Sequence, residues 1–446
     1  MDNIENWLLE NNIEEVQCVT ADHTGIPRGK TLPAQSFLAD ELRIPEGVAL
    51  STASGDLIND DIMFSLIDPR DLDMFMKPDL NTRYVLPWTK KPTAMIIHDC
   101  WLRNGEENDL CPRTILKNVL ALYKSKGWQP VVAPEMELHV LKTNADPSQE
   151  LEPPMGRSGR TEAGRQSFGI DALAEYSDFI DLVYDWAKQL NLDLDSVVHE
   201  EGAGQLEFNF KHGDALKLAD QVFVFKRLVK EAAIQCGITA TFMAKPISDE
   251  PGNAMHIHQS IISTETGKNI FADDSGDTEL FKHYIGGLQK YTGDLMPIFA
   301  PNANSYRRFV AGVAAPVNVF WGTENRSVGL RVPEAPQQAR RVENRLPGAD
   351  SNPYLAIAAT LLCGYLGMVE EIERSEESVD RVNAHISDDI PTNFDSAIKA
   401  MADSKTMQQY LGERFITGFT ETRLVDFNHF KSVITSWERR FLISAV

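Results

Sequence analysis

Apolar and polar residues alternate in short runs through the first hundred positions, the period of strands rather than helices. VQCVTAD (16–22), HTGIPRGK (23–30) and TLP (31–33) read as a strand, a turn and a second strand. Between Thr82 and Asp99 further short runs are broken by Pro87, Lys90, Lys91 and Pro92. NGEENDLCPR (104–113) has no apolar period, which predicts a domain boundary there, between 1–106 and 107–446. Next, Ile115, Leu116, Val119, Leu120 and Tyr123 recur at helical spacing, with Gly127 where a C-terminal cap belongs. Residues 144–166 are polar and rich in Gly and Pro, predicting a long surface loop. Its GRSGRTEAGR lacks the GK[ST] ending and the strand–helix context of a phosphate-binding loop. From Asp171 onward helical segments alternate with single short strands, the pattern of an α+β domain. The most apolar run, Tyr354 to Met368, falls short of the ~20 residues that cross a bilayer. It follows Asn352-Pro353 and precedes EEIERSEE, as a buried helix emerging into solvent does.

Composition narrows the class. The chain has 446 residues, more than one ordinary core accommodates. Apolar residues at 43% and charged residues at 24% describe a globular protein in water. Forty-three basic against 65 acidic residues leave a formal charge of −22, which a nucleic-acid backbone repels. The same balance suits a well-solvated surface or a cationic substrate. Five scattered cysteines show no paired spacing, so neither a disulfide framework nor a zinc ribbon is expected, and the cytoplasm is the expected compartment. MDNIENWLLENN carries acids and no basic stretch, so it is not expected to act as a signal peptide. No membrane partner is expected.

The chemistry lies in strand-like segments whose ionisable residues recur at every second position, and so share a face. In PVVAPEMELHVL these are Glu135, Glu137 and His139; in GQLEFNF, Gln205, Glu207 and Asn209. In MHIHQSII they are His256, His258 and Ser260; in RRVENRLP, Arg341, Glu343 and Arg345. A single such strand is ordinary amphipathicity. Four of them, carrying glutamates and histidines, describe a site if the faces turn inward together. Clustered carboxylates then repel unless cations neutralise them, and such donors suit Mg²⁺ or Mn²⁺.

E-M-E, H-E-E-G-A-G-Q-L-E, G-N-A-M-H-I-H-Q-S, N-S-Y-R-R, N-R-S-V-G-L-R-V-P and R-R-V-E-N-R, in that order, resemble the signature set of the glutamine synthetase superfamily. Phe242-Met-Ala-Lys-Pro and Ser351-Asn-Pro-Tyr-Leu fit the same resemblance. It implies a small β-grasp N-terminal domain, a catalytic domain on a curved antiparallel sheet, and a dodecamer of two hexameric rings with sites between neighbours. It implies ATP as co-substrate and two to three Mg²⁺ or Mn²⁺ ions per site. Glu137, Glu200 and Glu207 match the ligands of one metal, and Glu135, His256 and Glu343 those of a second. Arg326, Arg331 and Arg341 match arginines that grip ATP and the transferred phosphate, with His258 and Ser260 at the nucleotide. Arg326 and Arg331 are five apart, so aiming both at one ligand calls for a bulge. Gly252, Arg308 and Arg345 match the glutamate contacts, although Pro251 replaces an asparagine common in the family.

Two departures bear on the amine. Ser51 stands where the family has an aspartate, contributed by the neighbouring subunit, and Ala314 where it has a loop glutamate. Both acids belong to an ammonium pocket. Their loss, with Val313, Ala315 and Trp321 nearby, predicts a wider and more apolar acceptor pocket. Q-Y-L-G-E-R-F (409–415) and S-W-E-R-R-F-L (436–442) resemble the γ-glutamylpolyamine synthetase branch. The resemblance therefore implies a carbon–nitrogen ligase joining glutamate to a polyamine or other alkylamine through γ-glutamyl phosphate. Ammonia as acceptor, and a non-catalytic structural relative, stand as alternatives. With Ala314 unable to act as base, Glu324 is the remaining candidate to deprotonate the amine.

Overall fold

Residues 15–101 supply a five-stranded sheet in a computed structural model that describes residues 4–144, 146, 149–313 and 315–445. Strand β1 (Glu15–Ala21) pairs antiparallel with β2 (Pro27–Pro33) and parallel with β5 (Thr93–Trp101). With β3 (Arg43–Pro45) and β4 (Asp73–Val85) the order is β2-β1-β5-β4-β3. The second strand begins at Pro27, earlier than the run TLP predicts. Asp22 explains this: its Oδ1 accepts from the Thr24 N–H at 2.9 Å and the Ile26 N–H at 3.0 Å, which closes a shorter turn. Both faces of the sheet are buried. Val16, Cys18, Ala94 and Ile96 face a small core with Leu8 and Ile44, whereas Val19, Ala21, Met95 and Ile97 join the main core.

Arg113 ties this sheet to the rest. It opens helix α1 (Pro112–Ser125) and reaches Asp79 on β4 and Asp99 on β5, each at 2.6 Å, and Asp220 at 2.9 Å. Asp220 lies on the long helix α2 (Ala215–Gln235), capped by the Asp214 carboxylate.

A nine-stranded sheet carries the second layer. Its strands are β6 (Trp128–Lys142), β7 (Leu194–His199), β8 (Gln205–Phe210), β9 (Ile238–Thr241), β10 (Met255–Ser263), β11 (Trp321–Thr323), β12 (Leu330–Val332) and β13 (Val342–Asn344), with the short Gly213–Asp214 beside β6. The path runs β11-β12-β13-β10-β6-β8-β7, and β9 also pairs with β6. Every pairing is antiparallel except β11 with β12, which is parallel. Met136, Leu138, Leu206, Phe208, Met255 and Ile257 on one face enter the main core. The opposite face is left to the polar side chains.

The apolar run forms helix α4 (Pro353–Val369), buried from Pro353 to Met368 and capped by Asn352. It crosses helix α3 (Glu279–Tyr291) at glycine contacts: a Cβ on Gly287 would lie 2.2 Å from the Cys363 carbonyl oxygen, and one on Gly367 2.1 Å from that of His283. Among the described residues no helix is long and apolar enough to cross a membrane.

Candidate active site

Strand register builds the site. Residues paired directly across a sheet share a face. β6 pairs Glu137 with Glu207 and Glu135 with Asn209 on β8, and Glu135 with His256 on β10. β13 then pairs Glu343 with His258, and β12 pairs Arg331 with Glu343. One continuous row of ionisable side chains therefore crosses five strands. Glu200 joins from the turn after β7, where its N–H donates to the Gln205 carbonyl at 2.9 Å.

The row divides electrically. Glu135 accepts from His258 Nε2 at 2.9 Å and His256 Nδ1 at 3.3 Å. Burial opposes its ionisation, but the two histidines hold its carboxyl well below the usual range. Arg341 Nε donates to His258 Nδ1 at 3.2 Å, which places that ring's proton on Nε2, facing Glu135. Glu343 is held down to about 2: burial is overcome by Arg345, His256 and His258, with Arg345 at 2.8 Å and Arg331 at 3.0 Å. Glu137 and Glu207 behave oppositely. Burial, then the Glu200 charge, pushes Glu137 up to about 8, although the Ala254 N–H donates to it at 2.7 Å. Burial, then Glu135, Glu137 and Glu200, pushes Glu207 up to about 10. Glu343 is thus offset by arginines and Glu135 by hydrogen bonds from two imidazoles, whereas at Glu137 and Glu207 burial and neighbouring carboxylates outweigh what opposes them. That donor set fits hard divalent ions, which let the crowded carboxylates ionise at neutral pH. Side chains able to offer ligand atoms within 4.8 Å of one another form the groups Glu135–His258–Glu343 and Glu135–Glu207–His256. The grouping differs from the expected triads: Glu135 bonds both imidazoles, and Glu343 is held by Arg345 and Arg331.

The row opens into a cleft of about 1590 Å³ that Glu135, Glu137, Glu200, Glu207, His256 and Glu343 all line. Gly252, Arg308, Arg326, Arg331, Arg345, Glu324 and Val313 line it as well. Arg308 lies across Gly252, where a Cβ would sit 2.5 Å from Arg308 Cγ, so only glycine permits the approach. Arg308 and Arg345 are buried, and the Nε of each has no hydrogen-bond partner.

Other expectations meet a different structure. No bulge is needed for Arg326: it sits in the turn before β12, so strand parity does not constrain it. Arg341 and Ser260 do not line the cleft, and Arg341 is turned toward His258 and the Ala339 carbonyl. Trp321 is no pocket wall. Its indole N–H donates to the Ser375 carbonyl at 2.8 Å and Arg374 stacks 3.8 Å above the ring, which anchors it in the main core. Glu324 accepts from Arg331 at 2.8 Å and from the Glu334 N–H at 2.6 Å. The Arg331 hydrogen bond holds its carboxyl below the usual range, so it is a poor base for an alkylammonium. Ser51 Oγ donates to the Val48 carbonyl, and within one chain Ser51 does not line the cleft. Ala314 lies outside the described residues.

Asn253, within the G-N-A-M-H-I-H-Q-S motif, carries no role in the sequence reading, yet it ties together the strands and loop behind the row. Its Oδ1 meets His139 Nδ1 at 2.8 Å and Gln205 Nε2 at 3.1 Å, and its Nδ2 donates to the Met243 carbonyl at 2.9 Å. It belongs to no strand, so no period marks it. Lys245, Arg307 and Arg381 also line the cleft from loops and short turns.

Residues 109–442 match the family described as glutamine synthetase, catalytic domain. Glutamine synthetase from Methanococcus voltae is 32% identical over 450 residues, covering 97% of this chain and 96% of that protein. Glutamate–isopropylamine ligase from a Pseudomonas species is 28% identical over 450 residues, covering 98% and 96%. Among solved structures, GmaS without ligand superposes with a TM-score of 0.85 at 26% identity, covering 100% of both chains.

Proposed function

The chain belongs to the glutamine synthetase family, and from that premise we propose that it joins the side-chain carboxylate of glutamate to an alkylamine, converting ATP to ADP and phosphate. The observation that carries the reading is the row of carboxylates and His256 on one sheet face, opening into the same cleft as two buried arginines. Glu137, Glu200 and Glu207 would hold one divalent ion and Glu135, His256 and Glu343 a second, supplying charge screening and phosphoryl polarisation. Arg308 and Arg345 line the cleft, and a guanidinium there suits a substrate carboxylate. Arg326 and Arg331 offer positive charge to the transferring phosphoryl group. Glutamate's γ-carboxylate attacks the γ-phosphorus, giving γ-glutamyl phosphate and ADP. A neutral amine then attacks the acyl carbon, phosphate leaves, and the nitrogen loses a proton. Arg341, His258 and Ser260 belong to this reading at the nucleotide's end, beside the cleft.

The acceptor follows from what surrounds it. Val310, Val313 and Ala315 line the cleft, and the first two are each 47% exposed. Apolar surface of that kind favours a carbon chain by about 0.8 kcal/mol per buried methylene. The similarity to glutamate–isopropylamine ligase supports the same choice. The match of equal length to a glutamine synthetase favours ammonia as the second reading. Assembly into two hexameric rings, with Ser51 of a neighbouring copy near the acceptor, completes the proposal and is checked by light scattering. The deciding assay is ADP release with glutamate plus ammonia, methylamine, isopropylamine, ethanolamine, putrescine or spermidine. An alkylamine should exceed ammonia at least tenfold in kcat/KM, about 1.4 kcal/mol. Ammonia as the best acceptor overturns the choice of amine, and no ADP release with any amine overturns the ligase.

A further inference from the structure

A second cavity, of about 600 Å³, lies between the β1–β2 hairpin and helix α2. Arg28, Lys30, Lys226, Arg227 and Lys230 line it, against a single acid, Asp350. Such a concentration of positive charge stands out in a chain of net charge −22. The α2 cations are spaced so that Lys226, Arg227 and Lys230 fall on one stripe of the helix, facing the hairpin. Like charges three and four apart on a helix repel, so the stripe is unfavourable unless something offsets it.

Only one of the five cations is paired with a carboxylate among the described residues. Arg28 pairs with Asp22 at 2.7 Å. Among the described residues Lys30, Lys226, Arg227 and Lys230 make no ion pair with a carboxylate. Lys226 Nζ instead donates to the Ser351 carbonyl at 2.8 Å, and Arg227 to the Gln17 side-chain oxygen at 2.6 Å. Asp350, for its part, already accepts from Asn302 and Ser305. Burial pushes the Lys226 ammonium down to about 7, with Lys230 adding to the effect and Asp350 opposing it. Lys226 and Arg227, half-buried with no carboxylate in contact, and the exposed Lys30 and Lys230 above them are what an anion site looks like before its ligand arrives.

We propose that this cavity binds a small oxyanion of at least two negative charges, a phosphate or a dicarboxylate, as an effector site separate from the catalytic cleft. Met243 lines both cavities, so an occupant of the first touches the wall of the second. The rim, Lys30 and Lys230, selects for charge; Lys226 and Arg227 beneath it supply directed donors.

The test is isothermal titration of the intact protein with inorganic phosphate and, separately, with succinate, at fixed ionic strength. The comparison protein carries Lys30→Gln and Lys230→Gln, both exposed positions that leave the core untouched. Lys226→Met serves as an independent second variant. At least one anion should bind the unaltered protein at millimolar concentration or below. Its affinity should fall by about tenfold or more in both variants. Phosphate alone, succinate alone, or both identify the ligand class. ADP release in the absence of added anion should be unchanged in the Gln variant. Equal affinities in all three proteins mean the anions occupy only the catalytic cleft, and overturn the proposal. So does an absence of binding to the unaltered protein. A changed oligomeric state in the Gln variant, with anion binding intact, overturns it in favour of a second copy covering the cavity.

Discussion

Replacing Glu207 with Gln should make the protein more stable in chelator and less active in magnesium. Glu207 is 9% exposed and faces Glu137 across the register. Burial, then Glu135, Glu137 and Glu200, raises its carboxyl from 4.5 to about 10. The folded chain at pH 7 therefore holds a proton that the unfolded chain has released. That uptake costs about 1.4 kcal/mol per pH unit above 4.5, or about 3 kcal/mol at pH 7. Gln removes the cost without changing the shape of the side chain much. With roughly 2 cal/mol/K of unfolding entropy per residue, the gain in Tm is about 3 °C if the chain melts as one unit. The sign is fixed by the direction of the shift. The advantage of the variant is absent below pH 4.5, grows as pH rises, and levels off near pH 10. Scanning calorimetry with EDTA at pH 5, 7 and 8 measures it. Magnesium should reverse the order, because it lets the wild-type carboxylate ionise against a cation while Gln cannot, and ADP release should fall more than about a hundredfold. Equal Tm values in EDTA at all three pH values, together with an unchanged response to magnesium, would refute the reasoning.

Arg113→Met takes the shared cation from Asp79, Asp99 and the buried Asp220, leaving Asp220 only the Tyr354 hydroxyl; it should lower unfolding free energy by about 3–5 kcal/mol in urea titrations, and a loss under 1 kcal/mol would remove Arg113 as the tie between the five-stranded sheet and the helices. Gly364→Ala puts a Cβ 2.1 Å from Tyr284 Cε2, so the contact between α3 and α4 must open; a loss of about 1–3 kcal/mol is expected, and an unchanged melting curve speaks against that close packing. Burial lowers His98 from 6.5 to about 4, although Ile96 accepts from its ring at 2.8 Å. Because the folded state resists protonation, its contribution is complete above pH 6.5 and is lost as pH falls toward 4, by up to about 3 kcal/mol. His98→Gln should flatten urea-derived stability across that window, and an unaltered slope would exclude His98 as its source.

The metal-ligand candidates were legible because strand chemistry has a period of two. Glu135, Glu137, Glu207, His256 and Glu343 each sit opposite an apolar neighbour, so a one-residue slip would bury charge and expose core. Helix α4 was legible for the complementary reason, having no polar face at all. Local pattern fails wherever a side chain is aimed by something distant in sequence. Glu200 and Arg326 lie in turns without a period, and only their surrounding motifs marked them. Trp321 was placed by the Ser375 carbonyl and the Arg374 stack, 54 and 53 positions away, which no window around Trp321 contains. Asn253 ties together two strands and a loop without belonging to any of them. Nor does the chain alone reveal that Lys226, Arg227 and Lys230 face a hairpin two hundred residues earlier with Asp350 the one acid lining the space between. The sequence by itself determined which residues can share a face, since that depends only on backbone geometry. Tertiary structure decided which faces meet, and so which carboxylates are neutralised, which stay crowded, and which cations are left without a partner.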